Sequence, residues 1–161
     1  MNNETLKKVF IQFFKPHIRV LFNWTLLNKN NWNIELQAVS SLKTISSWYM
    51  PWNVDENKNL IDYKLPNAKP IRVKDVPEML PKFSKERQNF INFLSEQFKN
   101  SHFPINFVVP AYNLGGNKRL LLDGNHKMSA LVLSQVSFNI MIFTIIAPVN
   151  KSIIPELRHW E

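Results

Sequence analysis

The chain contains no cysteine. Disulfides, thiol nucleophiles, zinc–thiolate centres and iron–sulfur clusters are thereby excluded, and the composition agrees with a reducing, cytoplasmic setting. It also lacks an apolar run near the roughly 20 residues that span a bilayer. Phe138–Val149 is too short, and Val9–Leu27 is broken by Lys15, Pro16, His17 and Arg19. The same breaks spoil a secretory leader, so neither a membrane span nor export is expected. Acidic residues are scarce: 12 Asp and Glu stand against 20 Lys and Arg, a net charge of +8 that favours anionic partners such as nucleotides or nucleic acid. The scarcity sharpens toward the C-terminus. Asp123 is the only carboxylate between Glu96 and Glu156, in a stretch carrying Lys99, Lys118, Arg119, Lys127 and Lys151. A lone acid among bases reads as a ligand-site residue, a helix-capping carboxylate or a partner for Arg119.

What is present is enough apolar material, 45% of 161 residues, for one well-filled core. The expected organisation is an aromatic-rich N-terminal extension over residues 1–68, packed on a domain over residues 69–161. Glu4–Phe14 carries Leu6, Val9, Phe10, Phe13 and Phe14 on one side and predicts an amphipathic helix closed by Pro16. Ile18–Leu27 reads as a strand, Ile34–Trp48 as a helix through Leu36, Val39, Leu42 and Ile45, and Pro51–Pro70 as a connecting loop. Trp24, Trp32, Trp48 and Trp52 fall in this first third, interleaved with Lys and Asn, where they serve core packing or offer platforms for stacked bases.

From Pro70 the pattern alternates. A strand is expected at Ile71–Val76, a helix opened by Ser84 and running to about Asn100, and a strand at Ile105–Val109. A turn at Gly115-Gly116-Asn117, a strand at Arg119–Leu122, a helix and a last strand at Phe138–Ile146 complete the order. This is a small mixed α/β domain. Its most informative stretch is Leu120-Leu121-Leu122-Asp123-Gly124-Asn125-His126-Lys127-Met128, where an apolar strand turns at Asp-Gly directly into a helix. A helix start offers unpaired N–H groups and a positive dipole end; with the imidazole of His126 and the ammonium of Lys127 beside it, the joint is a receptor for phosphate.

The entry Phe103-Pro104-Ile105, the Gly-containing turn and the joint Leu122-Asp123-Gly124-Asn125-His126-Lys127 resemble the ParB N-terminal-like and sulfiredoxin superfamily over about residues 70–147. That family includes chromosome-partition proteins, DNA-processing nucleases, DNA sulfur-modification proteins with an Asp-Gly-Gln-His-Arg signature, free-serine kinases and sulfiredoxins. The resemblance implies a ParB/sulfiredoxin-like mixed sheet with flanking helices and a nucleotide, ATP or CTP, or a nucleic-acid phosphate bound at Gly124, Asn125, His126 and Lys127. Ser95 and Arg119 are further candidates for the phosphate side, with Gln88 on the same helix as Ser95. Asp123 would act as general base or as the carboxylate associated with Mg²⁺, and His126 as hydrogen-bond donor to a phosphoryl oxygen or as general acid; Glu86 is a further metal or proton-acceptor candidate.

The implied activities are those of a nuclease or NTPase, a small-molecule kinase of the free-serine type, or a non-catalytic DNA- or RNA-associated accessory protein. Departures narrow the choice. Sulfiredoxin chemistry needs a cysteine where this chain has Asn125. The Glu-Arg-Arg signature of partition proteins is missing, and too few residues follow Pro148 for a helix-turn-helix. Lys127 stands in place of the usual Arg and lacks its bidentate fork.

Overall fold

Most helices in this chain begin where a short polar side chain satisfies the free N–H groups of the first turn. In the computed structural model, which describes residues 1–161, Asn2 caps α1 (Asn3–Phe14), Asn23 caps α2 (Trp24–Lys29) and Ser41 caps α3 (Leu42–Ser46). Pro77 sits in the first turn of α4 (Val76–Met79), where its missing N–H is harmless. Ser84 caps α5 (Lys85–Lys99), accepting from Arg87 N. Of the three long helices, α6 (Asn125–Ser134) alone has no side-chain cap. It starts from Gly124 in the left-handed region at φ 78°.

The strands are β1 (Asn33–Val39), β2 (Tyr49–Val54), β3 (Leu60–Ile61), β4 (Lys69–Arg72), β5 (Ile105–Gly115), β6 (Lys118–Leu121) and β7 (Phe138–Ile146). They form one mixed α/β sheet in the order β1-β7-β5-β6-β2-β3, with β4 also on β2. β5 and β7 pair in parallel across α6, which supplies the crossover. β5 and β6 form the expected hairpin, with Gly115 and Gly116 at positive φ in its turn. The expected helix at 84–100 and the strands at 105–109, 119–122 and 138–146 are thus present, with β5 longer than foreseen.

The N-terminal third differs. Ile34–Trp48 is not one helix: β1 lies antiparallel to β7 from Asn33↔Ile146 to Val39↔Ile140, and only Leu42–Ser46 is helical. The spacing of Leu36, Val39, Leu42 and Ile45 is helical by coincidence, because Ser41 ends one element and caps the next. Ile18–Leu27 is irregular chain followed by α2, and the stretch read as a loop after Pro51 contains most of β2 and all of β3. Ile71–Val76 gives β4 and then a 3-10 turn at Val73–Asp75 rather than a longer strand. Residues 1–68 therefore contribute three strands of the same sheet rather than lying on a finished domain.

Two apolar layers cover the two faces. Ile91, Met128, Leu131 and Val132 from α5 and α6 pack on Val109, Leu121, Ile140 and Ile142. Opposite them, Phe10 and Phe14 from α1 and Ile153, Ile154 and Leu157 from the C-terminal segment pack on Tyr112, Leu120, Leu122 and Ile145. No helix is long and apolar enough to cross a membrane.

Candidate functional site

The site lies where β6 stops. Tyr49↔Leu120 is the single pairing of β2 with β6, and Ala111↔Leu121 is the last rung of β5 with β6. After one more bond, from Leu122 N to Pro110 O at 3.0 Å, the chain leaves the sheet through Asp123-Gly124. β4 runs along one side of β2, while β6 and then β3 occupy the other. Pro51 and Trp52, between the end of β6 and the start of β3, face a notch in the sheet. Residues from both layers converge on it, forming a cavity of about 700 Å³ at the carboxyl end of β6, a common position for ligands in α/β sheets and within the usual size range for small-molecule sites.

Gly124 is fixed by two constraints. Its φ of 78° disfavours any side chain, and a Cβ there would stand 2.7 Å from Val109 Cγ1. The tight turn lets α6 start directly over β5. Its first internal bond is Met128 N to Gly124 O at 2.9 Å. The N–H groups of Asn125, His126 and Lys127 precede any helical acceptor and meet no capping side chain. Asn125 Oδ1 is buried without a hydrogen-bond partner.

Around this helix start the cations are unpaired. The structure's three ion pairs, Lys58–Glu78, Lys99–Glu96 and Lys151–Glu161, all lie elsewhere. Arg87, from the first turn of α5, holds its guanidinium 4.5 Å over the Trp52 ring and 5.4 Å from the Phe83 ring. It is half-buried and meets no carboxylate, and burial lowers its pKa below the ordinary value. Lys127 lies 5.6 Å from the Phe107 ring. Arg19 and His17, both exposed, reach the cavity from the segment after α1.

His126 sits between Trp52, 5.7 Å away, and Phe90, 5.2 Å away. Burial depresses its pKa, and the charges of Arg87 and Arg19 depress it further against a smaller opposing pull from Asp123. The lowered pKa favours the neutral imidazole, in which one ring nitrogen accepts a proton while the other donates a hydrogen bond.

The expected residues Asp123, Gly124, Asn125, His126 and Lys127 all line the cavity; Ser95 and Arg119 do not. Ser95 is buried within the α5 layer. Arg119 is tied into the β5–β6 turn through Asn113 Oδ1, Gly116 O and Lys118 O. Gln88 also lies outside the cavity, donating to Phe83 O at 2.7 Å, as does the exposed Glu86.

Sequence reasoning singled out Trp52 only as one of four tryptophans for packing or base stacking, and it missed Arg87, Arg19, Phe90 and Glu156. Arg87 alone left a local signal, being a cation in the first turn of a helix, where the dipole favours acids. No three His, Asp or Glu side chains come together as metal ligands. Asp123 and Glu156 are the two carboxylates that line the cavity, and they are the residues that would hold a Mg²⁺ carried in with a phosphate. No known family model matches the chain, and no curated protein or solved structure matches it.

Proposed function

We propose that this chain binds a phosphate-bearing ligand, in first place a nucleotide, at the start of α6. The observation that carries the reading is Arg87, a half-buried guanidinium without a carboxylate partner, held beside an uncapped helix N-terminus. Leaving a buried charge unmatched is costly. An anion between Arg87, Lys127 and the three free N–H groups removes that cost and gains charge-assisted hydrogen bonds. Trp52 and Phe90 border the same space and offer apolar surface to a base. A bounded cavity suits a nucleotide such as ATP or CTP better than a duplex, which is gripped by an extended basic stripe.

Hydrolysis follows as the chemistry the site suits, in keeping with the ParB/sulfiredoxin resemblance. Neutral His126 takes a proton from water as its oxygen attacks the γ-phosphorus. The bond from that phosphorus to the β-phosphate oxygen breaks, the nucleoside diphosphate leaves with that electron pair as an anion, and Arg87 and Lys127 offset the charge that develops. Asp123 orients the water or the imidazole.

Titration calorimetry with ATP and CTP on wild type and Arg87→Ala tests the binding. The expected result is saturable one-site binding weakened by about tenfold or more in the variant, the loss typical of a charge-assisted contact. Equal affinity in both proteins, or no binding, overturns the reading. If turnover accompanies binding, His126→Ala lowers it by about two to four powers of ten with the fold intact. Binding without turnover keeps the nucleotide reading and removes the hydrolysis step.

A further inference from the structure

One wall of the cavity is acidic, and it comes from the far end of the chain. Glu156 lies in a 3-10 turn at Pro155–His159, only 8% exposed, and its Oε2 has no hydrogen-bond partner. It takes part in none of the ion pairs. Burial, reinforced by repulsion from Asp62, raises its pKa above the ordinary carboxyl value despite a backbone hydrogen bond that pulls the other way.

The turn is well anchored. Ile153, Ile154 and Leu157 are buried in the second core, Tyr49 meets Trp160 edge-on at 5.0 Å, and Tyr112 OH donates to Pro148 O at 2.7 Å. Glu156 is therefore held in place while its Oε2 finds no partner in the protein. A buried polar atom left unpaired by a rigid frame is ordinarily matched from outside.

We infer that Glu156 is the hydroxyl-recognising group of this pocket, whose ligand is a phosphorylated polyol of which a ribonucleotide is one form; this rests on the phosphate reading above. With phosphate held by Arg87, Lys127 and the helix start, the ligand's remaining polar groups meet the Glu156 wall. A hydroxyl both donates and accepts, and so matches a carboxyl group in either protonation state. A ligand ammonium suits the pocket less, because Arg19, Arg87 and Lys127 already line it.

The test is calorimetry on the full chain at fixed ionic strength with inorganic phosphate, ribose 5-phosphate and O-phosphoethanolamine. Wild type is expected to bind ribose 5-phosphate about tenfold or more tighter than phosphate, as sites built around a ligand hydroxyl do. Glu156→Leu, which keeps the volume but removes both oxygens, should abolish that advantage while leaving phosphate binding in place. Glu156→Gln should retain part of it. Equal binding of phosphate and ribose 5-phosphate, or a Leu variant that keeps the preference, overturns the inference and leaves the phosphate reading standing. Tighter binding of O-phosphoethanolamine overturns it in favour of an ammonium ligand. If the Leu variant does not fold, the Gln variant decides, and an unchanged preference overturns the inference. If none of the three phosphate compounds binds, both readings fall.

Discussion

At the scale of single residues, the pocket holds groups whose charge states are set by what surrounds them. His126 is kept neutral by burial and by two arginines, so an anion that neutralises them makes its protonation easier. Binding of sulfate, which does not itself titrate near neutrality, should therefore take up a proton. Its affinity should rise as pH falls through and below the ordinary histidine value of about 6.5, because the free protein's imidazole is held below that value. Calorimetry at pH 6 in two buffers of different ionisation heat reads the uptake directly, and His126→Gln should remove most of it although His17 remains. Glu156 works in the other direction. Its folded-state pKa is raised, so the folded protein holds that proton more tightly than the unfolded chain. The stabilising contribution is present below the unfolded value of 4.5 and lost as pH rises through the folded value. Glu156→Gln should thus be more stable than wild type at pH 7, by about 1 kcal/mol, the scale of one poorly matched buried polar group. That gain should shrink toward pH 4, and chemical denaturation at the two pH values checks it. A gain independent of pH would mean that the carboxylate does not feel its burial.

At the scale of elements, legibility followed locality. α5, β5, β6 and α6 were readable because each carries its own punctuation: Ser84 before α5, Pro104 before β5, the two glycines of the hairpin before β6, and Asp-Gly before α6; β7 was readable as an apolar run. β1 was not readable, because its face pattern is set by partnership with β7 rather than by alternation, and Leu36, Gln37 and Ala38 are all exposed in succession. The joint from Asp123 to Lys127 was visible because five consecutive residues form it. Trp52, Arg87, Arg19 and Glu156 come from four separate segments that only the sheet brings together. The most demanding point of the joint is Gly124. Gly124→Ala should cost about 2–4 kcal/mol, of which about 1–2 is the left-handed backbone and the rest the clash with Val109. Adding Val109→Ala to that variant should remove the clash without removing the backbone strain. In denaturant titrations the double variant should then lose less than the sum of the two single losses. Additive losses would show that Val109 does not limit this turn.

At the scale of the whole molecule, the sheet and the site both depend on the two chain ends. Residues 1–68 supply β1 against β7 and β2 against β6, and α1 covers the face that carries Tyr112, Leu120, Leu122 and Ile145. They also bring His17, Arg19 and Trp52 to the cavity. The sequence suggested an extension packed on a domain over residues 69–161, and whether that domain is independent has a direct physical consequence. An independent domain would keep its core when the extension is removed. In the observed fold the same cut exposes one apolar face, together with β6 and β7 edges that β2 and β1 normally pair. Deleting Phe10, Phe14, Leu27, Ile34, Ile45, Trp48 and Met50 removes side chains buried in both cores. At about 1.5–3 kcal/mol for each large buried side chain, the loss is of the same size as, or larger than, the roughly 5–15 kcal/mol by which such proteins are stable. The fragment 69–161 should therefore show no cooperative thermal transition by circular dichroism and should bind a hydrophobic dye such as ANS. Mixing it with a separately made 1–68 fragment should restore a transition and the pocket together, because neither half encloses the notch at the end of β6 alone. A cooperative melt from 69–161 by itself would show instead that β5, β6, α6 and β7 form a self-sufficient core, with the N-terminal strands added to it.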